Sequence, residues 1–267
     1  MPNQTAPLDV ARVRSGLAAT RFADVRYVAE TGSTNADAQL LLGDETARGA
    51  TLVAEFQSAG VGRKARPWVA PPGSSLLFTA ILPAAVASRA LWAVPFWIAL
   101  GAAHGVERAT GARLDLVWPN DLFTGGRKVG GILSVARIAG DVAWVGCGVG
   151  LNVVRPAADS ALDAVSPPPA FLSDRAGGVE REAVLTAILN AFDTSLGTLA
   201  DPETVADAWE RRAELAGTIY RYRRDAEGID REGTALRIGP HGTLILRDET
   251  GEVAIDMADV RVVAQHP

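Results

Sequence analysis

Cysteine occurs once in this 267-residue chain, at Cys147, so no disulfide can form within it. That usage fits a reducing compartment. An excess of positive charge is also missing: 26 basic against 31 acidic residues leave a net charge of -5, which argues against a general nucleic-acid or anionic-membrane surface. Cations therefore have to be read locally. The N-terminus, MPNQTAPLDVARVRSG, lacks the apolar core of a secretory signal. The longest apolar run, residues 91–106, contains Pro95 and His104 and falls short of the roughly 20 residues needed to span a bilayer. It reads as a buried helix, and the expectation is a soluble, cytoplasmic protein. No repeat is present, and the only low-complexity block is the proline run at 167–169.

One absence is local. No Asp or Glu lies anywhere between Phe56 and Val106. That gap opens within EFQSAGVGRKARPW, residues 55–68, just after Glu55, and this stretch has three cations in four positions just after two glycines. A plain turn with solvated cations is one reading. A dinucleotide loop is a second, because GVGRKA fits G-x-G-x-x-A after a strand. That motif must open a helix, which Pro67 interrupts, and it needs an acid about 20 residues on, which is missing. No G-x-x-x-x-G-K-[ST] phosphate loop occurs. The third reading is a flexible anion clamp. Glycines admit close backbone approach, Arg63 and Arg66 can grip oxyanions in a fork, and Trp68 can stack on a flat base. Nearby carboxylates would neutralise such a clamp, and none is near in sequence.

What is present around the gap has an α+β pattern. Residues 1–20 read as a loose tail. Strands are predicted at 25–30, 50–57, 74–82 and 113–118, and two more over 128–153 joined by an Ala-Gly-Asp turn. An apolar helix is predicted over 88–109, bent or started late by Pro95. Residues 155–178 read as loop. Val184, Leu185, Ile188, Leu189, Phe192 and Leu196 recur at helical spacing, and a second helix follows through ETVADAWERRAEL. From Gly217 the texture changes to short strands between glycine-rich or acidic turns, the pattern of a small β-barrel.

Several segments carry chemistry. VWPNDL (117–122) sets Asn120 and Asp121 directly after an apolar strand, where two oxygen-bearing groups suit Mg²⁺ with phosphate oxygens; an ordinary Asn-Asp turn is the bland alternative. GGRKVGGIL (125–133) opens on a hairpin turn and sets Lys128 ahead of Gly130 and Gly131 inside a strand, where glycine marks close approach. In GCGVGLN (146–152), alternating glycines leave one strand face bare, as floor space for a ligand. TGSTNAD (31–37) fits a helix start, with Thr34 and Asp37 in capping spacing.

Together, GSTN (32–35), QSAGVGRKARPW (57–68), WPND (118–121), KVGGIL (128–133) and GVGLNV (148–153) resemble, in the same order, the motifs of the biotin protein ligases, also called biotin–acetyl-CoA-carboxylase ligases. The resemblance spans about residues 24–264. It departs at Val61 and Val117, where that family usually carries a basic residue. It implies a mixed β-sheet backed by helices over 21–213, followed by a small SH3-like β-barrel over 214–267. It also implies a two-step reaction: biotin and ATP give biotinyl-5′-AMP, and a lysine of a biotin carboxyl carrier domain then takes the acyl group.

The resemblance assigns Ser33, Thr34 and Gln57 to the biotin ureido ring, with backbone at Gly60, Gly131 and Gly148. Arg63, Arg66 and Lys128 serve the two anions, with Lys128 bridging biotin carboxyl and phosphate. Trp68 and Asn152 face the adenine. Asn120 and Asp121 sit near Mg²⁺, with Asp121 steering or deprotonating the incoming lysine. ATP and Mg²⁺ are substrate and activator, with no tightly bound prosthetic group. Some such ligases repress DNA through an N-terminal helix-turn-helix; about 20 residues ahead of the catalytic part cannot hold one, so no DNA and no membrane partner is expected. Monomer and homodimer both stay open. A lipoate ligase of the same fold is the nearest rival, but its Arg-Arg-x-x-Gly-Gly-Gly loop and His-Asp pair are absent. A non-catalytic biotin or biotinyl-AMP sensor is the rival of another class.

Overall fold

Apolar alternation builds the central sheet. In the computed structural model, which describes residues 6–157, 162, 165–224, 228–257 and 260–266, strands β1 (Val25–Thr31) and β2 (Thr51–Gln57) run parallel because helix α2 (Thr34–Leu41) crosses between them. The remaining pairings are antiparallel. Strands β3 (Ser75–Ile81), β5 (Asp115–Val117), β6 (Asp121–Thr124), β7 (Arg127–Ala139) and β8 (Val142–Asn152) complete the order β1-β2-β3-β8-β7-β6-β5, with the short β4 (Val86–Ala87) beside β8. β3 lies next to the middle of this order and is buried at every residue. Its apolar run could not face water on either side.

Two turns fix the register of the long hairpins. Gly125 and Gly126 have φ of 54° and 74°, so the two-residue link between β6 and β7 has both central residues left-handed, a conformation glycine adopts without strain. Gly140 and Asp141 close the β7–β8 hairpin, as the sequence predicts.

Helix α3 (Val94–Thr110) follows a 3₁₀ turn and carries Pro95 in its first turn, so the proline delays the helix rather than bending it. It packs on α4 (Arg181–Ser195) and α5 (Pro202–Ala213). Gly105 of α3 lets the two backbones nearly touch: a Cβ there would lie 2.5 Å from the Ile188 Cα. Residues 181–200 are long and apolar enough to cross a bilayer, yet Val184, Leu185, Ile188, Leu189 and Phe192 are all buried in the core.

The N-terminal reading needs correction. Residues 1–5 lie outside the described residues, but residues 10–17 are not a loose tail. They form helix α1 (Val10–Leu17), capped by Asp9, whose carboxylate accepts from the Arg12 amide. Val13 and Leu17, one helical turn apart, are fully buried, each contributing about 1.5–3 kcal/mol by leaving water. Beside them Arg181 donates to Glu55 at 2.5 Å, both side chains nearly buried. The Leu8 amide and the Tyr27 hydroxyl donate to the other Glu55 oxygen, and Arg181 reaches the Ala6 carbonyl. Two buried charges are tolerable only with such a shell of partners.

The C-terminal expectation of an SH3-like barrel is overturned. Strands β9 (Ile219–Arg224), β10 (Asp230–Ile238), β11 (Leu244–Asp248), β12 (Gly251–Ile255) and β13 (Val260–His266) form an open antiparallel sheet in the order β12-β11-β10-β9-β13. Among the described residues no ladder joins β12 to β13, and closure requires one. Turn spacing predicts the strands but carries no information on whether the two edges meet.

Candidate active site

The site lies where α2, the 58–68 loop and the glycine-bearing strands β7 and β8 converge. There a cavity of about 580 Å³ is lined by residues from all of them, with Pro119–Asp121 on one wall and Pro167 and Pro169 on another.

The floor is a hydrogen-bonded polar layer. Ser33 is the N-cap of α2 but makes no side-chain cap bond, and it lines the cavity. The predicted cap by Thr34 with Asp37 is therefore wrong. Thr34 is the first helical residue, and its amide and hydroxyl both donate to Gln57 Oε1, at 2.7 and 3.1 Å. Asp37 instead accepts from the Thr31 hydroxyl at 2.7 Å. A strand-end glutamine thus competes successfully for the helix-start donors. It is held there against Gly60, where a Cβ would come 3.1 Å from Gln57 Nε2.

The bare glycine strip is not empty floor. Gly148 pairs with Thr79 of β3 on one side and Leu133 of β7 on the other. Asn35 lies across it: a Cβ on Gly148 would fall 2.2 Å from Asn35 Oδ1 and 2.5 Å from the Leu133 carbonyl. Farther along, the Trp68 indole covers Gly150 and approaches Gly131, where added Cβ atoms would lie 2.8 and 3.4 Å from it. Among the described residues, Trp68 Nε1 is buried without a hydrogen-bond partner, a donor left unsatisfied beside the cavity.

The rim carries the charges. Residues 60–68 pinch into a narrow loop, with Trp68 N bonded to the Gly60 carbonyl and Gly62 N to the Arg66 carbonyl. Lys64 and Ala65 sit at φ of 55° and 54°, left-handed for residues with a Cβ. Arg63 donates to Asn120 Oδ1 and to the backbone carbonyl of Met257, just after β12. Arg66 is exposed and lines the cavity. Lys128 Nζ is 2.6 Å from Asp121 Oδ1 and 5.8 Å from the Trp68 ring centre.

Asn120 Nδ2 donates to the Ile132 carbonyl, which fixes its oxygen toward Arg63. Asn152, buried, accepts from Ser75 and donates to the Ala170 carbonyl. On the Pro167–Pro169 wall, Arg155 forks onto Asp174 and holds its carboxyl below the usual range, while Asp174 also accepts from the Phe171 amide.

The structure thus brings every residue assigned from sequence to one cavity or its immediate rim. It adds residues that motif reading missed. Trp118 Nε1 donates to the Gly242 carbonyl, and its amide meets the Tyr220 hydroxyl, so the C-terminal sheet holds the Pro-Asn-Asp turn in place. Burial pushes the Tyr220 hydroxyl and the Cys147 thiol above their ordinary pKa values, so Cys147 is a packing residue on the far side of the glycine strip.

A mixed sheet whose glycine strands underlie a cation-lined cavity is the architecture of the biotin and lipoate acyl-ligases, and the Biotin/lipoate A/B protein ligase family model matches residues 27–152. A biotin–[acetyl-CoA-carboxylase] ligase of Paracoccus denitrificans is 32% identical over 246 residues, covering 87% of this chain and 98% of that protein. The bifunctional ligase/repressor BirA of Bacillus subtilis is 30% identical over 244 residues, covering 86% of this chain and 71% of that protein. By fold, the chain superposes on biotin protein ligase of Aquifex aeolicus in complex with biotin and ATP with a TM-score of 0.72 at 20% identity, covering 90% and 99% of the two chains. The chain belongs to the biotin protein ligase family.

Proposed function

We propose that this protein activates biotin with ATP as biotinyl-5′-AMP and transfers the biotinyl group to a lysine of a biotin carboxyl carrier domain. The observation that carries the proposal is one cavity with two chemically different ends. Thr34 and Gln57 form a neutral hydrogen-bonding end, and Arg63, Arg66 and Lys128 form a cationic one.

In the first step the biotin carboxylate oxygen attacks the α-phosphorus of ATP and pyrophosphate leaves. Two anions must meet, and cations placed in advance lower that barrier most. Lys128, at the cationic end, bridges carboxylate and phosphate, releasing Asp121 as it does so. Arg63 and Arg66 hold phosphate oxygens as forks. Trp68 offers its unpartnered Nε1 donor and its ring face to the nucleotide.

Asn120 Oδ1 and the Asp121 carboxylate are hard oxygen donors side by side, the kind of set Mg²⁺ takes alongside phosphate oxygens. They would hold that ion, which would neutralise triphosphate charge. In the second step the lysine amine attacks the acyl carbon, a C–N bond forms and AMP leaves. Asp121, freed from Lys128, is placed to accept the amine proton.

Incubation of the purified protein with biotin, MgATP and a biotin-carrier domain, read by intact mass, tests the proposal. The expected result is one biotinyl addition on the carrier and release of AMP. Adenylation of lipoate but not biotin would move the protein to the lipoate ligases. Binding of biotin without transfer would make it a sensor.

A further inference from the structure

Beneath the cavity floor the hydrogen bonds fix the orientation of both amide side chains. A backbone amide can only donate, so the 2.7 Å contact from Thr34 N fixes which Gln57 atom is oxygen. A backbone carbonyl can only accept, so the 2.8 Å contact with Leu133 O fixes Asn35 Nδ2 and turns Asn35 Oδ1 toward Thr79. Thr79 has no exposed surface and does not line the cavity. Its single hydroxyl proton lies within reach of two oxygens, Asn35 Oδ1 at 2.7 Å and Thr34 Oγ1 at 2.9 Å.

The amide oxygen has no proton to offer, so it takes the one from Thr79. Thr34 then spends its own proton inward, on Thr79 Oγ1 at 2.9 Å or Gln57 Oε1 at 3.1 Å. The Thr34 oxygen then presents lone pairs, not a proton, to whatever occupies the cavity.

We infer that Thr79, acting through Asn35 and Thr34, is a positioning residue that sets the neutral end of the cavity to accept an N–H, and so selects a cyclic urea over ring systems that have no N–H donor. The inference rests on the biotin-ligase reading above and assigns a role to a side chain that touches neither substrate. Removing the Thr79 hydroxyl takes the donor from Asn35 Oδ1 and the nearer of two acceptors from the Thr34 proton, leaving only the 3.1 Å contact with Gln57, so Thr34 can turn its proton into the cavity and the site loses its fixed acceptor. A mis-set acceptor costs the ligand about one hydrogen bond. Interactions that act equally on ground and transition states change KM and leave kcat alone.

The test uses the full chain with biotin, MgATP and pyrophosphate exchange. Thr79→Val, which keeps the shape, is expected to raise the biotin KM by about tenfold with kcat and the ATP KM within about twofold. Thr79→Ser should restore the biotin KM to near the wild-type value. Asn35→Ala should reproduce the valine phenotype, because the Thr79 proton then goes to Thr34. Thermal melting of each variant separates this from loss of fold, and Thr79→Ala serves where Thr79→Val does not fold. An unchanged biotin KM in Thr79→Val or Thr79→Ala, or a serine variant as impaired as valine, overturns the inference while wild-type adenylation leaves the ligase reading standing. Absence of biotin adenylation in the wild type overturns both.

Discussion

The floor of the cavity and its rim are built on opposite principles. On the floor, Thr34, Asn35, Gln57 and Thr79 are tied to backbone or to one another from three strands and a helix start, and Thr34 and Thr79 are almost wholly buried. On the rim, two of the cations that face the anions are engaged elsewhere: Lys128 with Asp121, Arg63 with the Met257 carbonyl just after β12. The neutral end of the ligand meets a finished surface. The charged end meets partners that must let go of one another first. Recognition is preorganised and catalysis is assembled on arrival, which is the logic of a site that protects a water-sensitive anhydride.

The comparison breaks most visibly at Lys128. Lys128→Ala should lower biotin-dependent pyrophosphate exchange by about 100- to 1,000-fold, the usual cost of removing one group that stabilises transition-state charge, with the melting temperature hardly moved. Equal exchange in mutant and wild type would take Lys128 out of the chemistry. A floor variant should behave in the reverse way. Gly148→Ala drives a Cβ into Asn35 and the Leu133 carbonyl. It should cost about 1–3 kcal/mol of stability in denaturant unfolding and remove biotin binding in calorimetry.

Amide exchange sharpens the contrast without mutation. In the empty protein, amides of β3 and β8 should be protected and those of residues 58–67 should exchange fast; strong protection of the loop would mean that the rim is as rigid as the floor.

The smallest effect is on the far wall. Arg155 holds the Asp174 carboxyl below the ordinary range, so this pair contributes stability above that range, and the contribution is lost as pH falls through the depressed value. Asp174→Asn should flatten that part of the acid-unfolding curve. An unchanged curve would show the wall does not depend on the pair.

What could be read from sequence follows the same division. Motif residues on strands and turns, such as Asn120, Asp121, Lys128 and Gly148, are legible because their local backbone demands are encoded locally. Thr79 gave no signal. It is one threonine in an apolar strand, and its role exists only because Asn35 is laid over Gly148 from another element. The Thr34–Asp37 capping pattern was present, and a tertiary bond to Gln57 overrode it. Tyr220, Gly242 and Met257 act on the site from about 100 to 200 residues away in sequence, a range periodicity cannot reach. The barrel failed for a related reason, since strand spacing says nothing about edges. Helix α1 was missed because its buried residues are few and its partners lie in α4.

That last separation has a temporal side. Helix α1 leaves the ribosome well before α4, yet Asp9 and Arg12 dock on Glu182 and Glu180, 173 and 168 residues later, and the Arg181 that clasps Ala6 is made between them. An eight-residue helix is too short to persist alone in water. Helix α1 therefore waits unformed until α4 appears and only then closes over Glu55, so a segment made before the sheet finds its place after it.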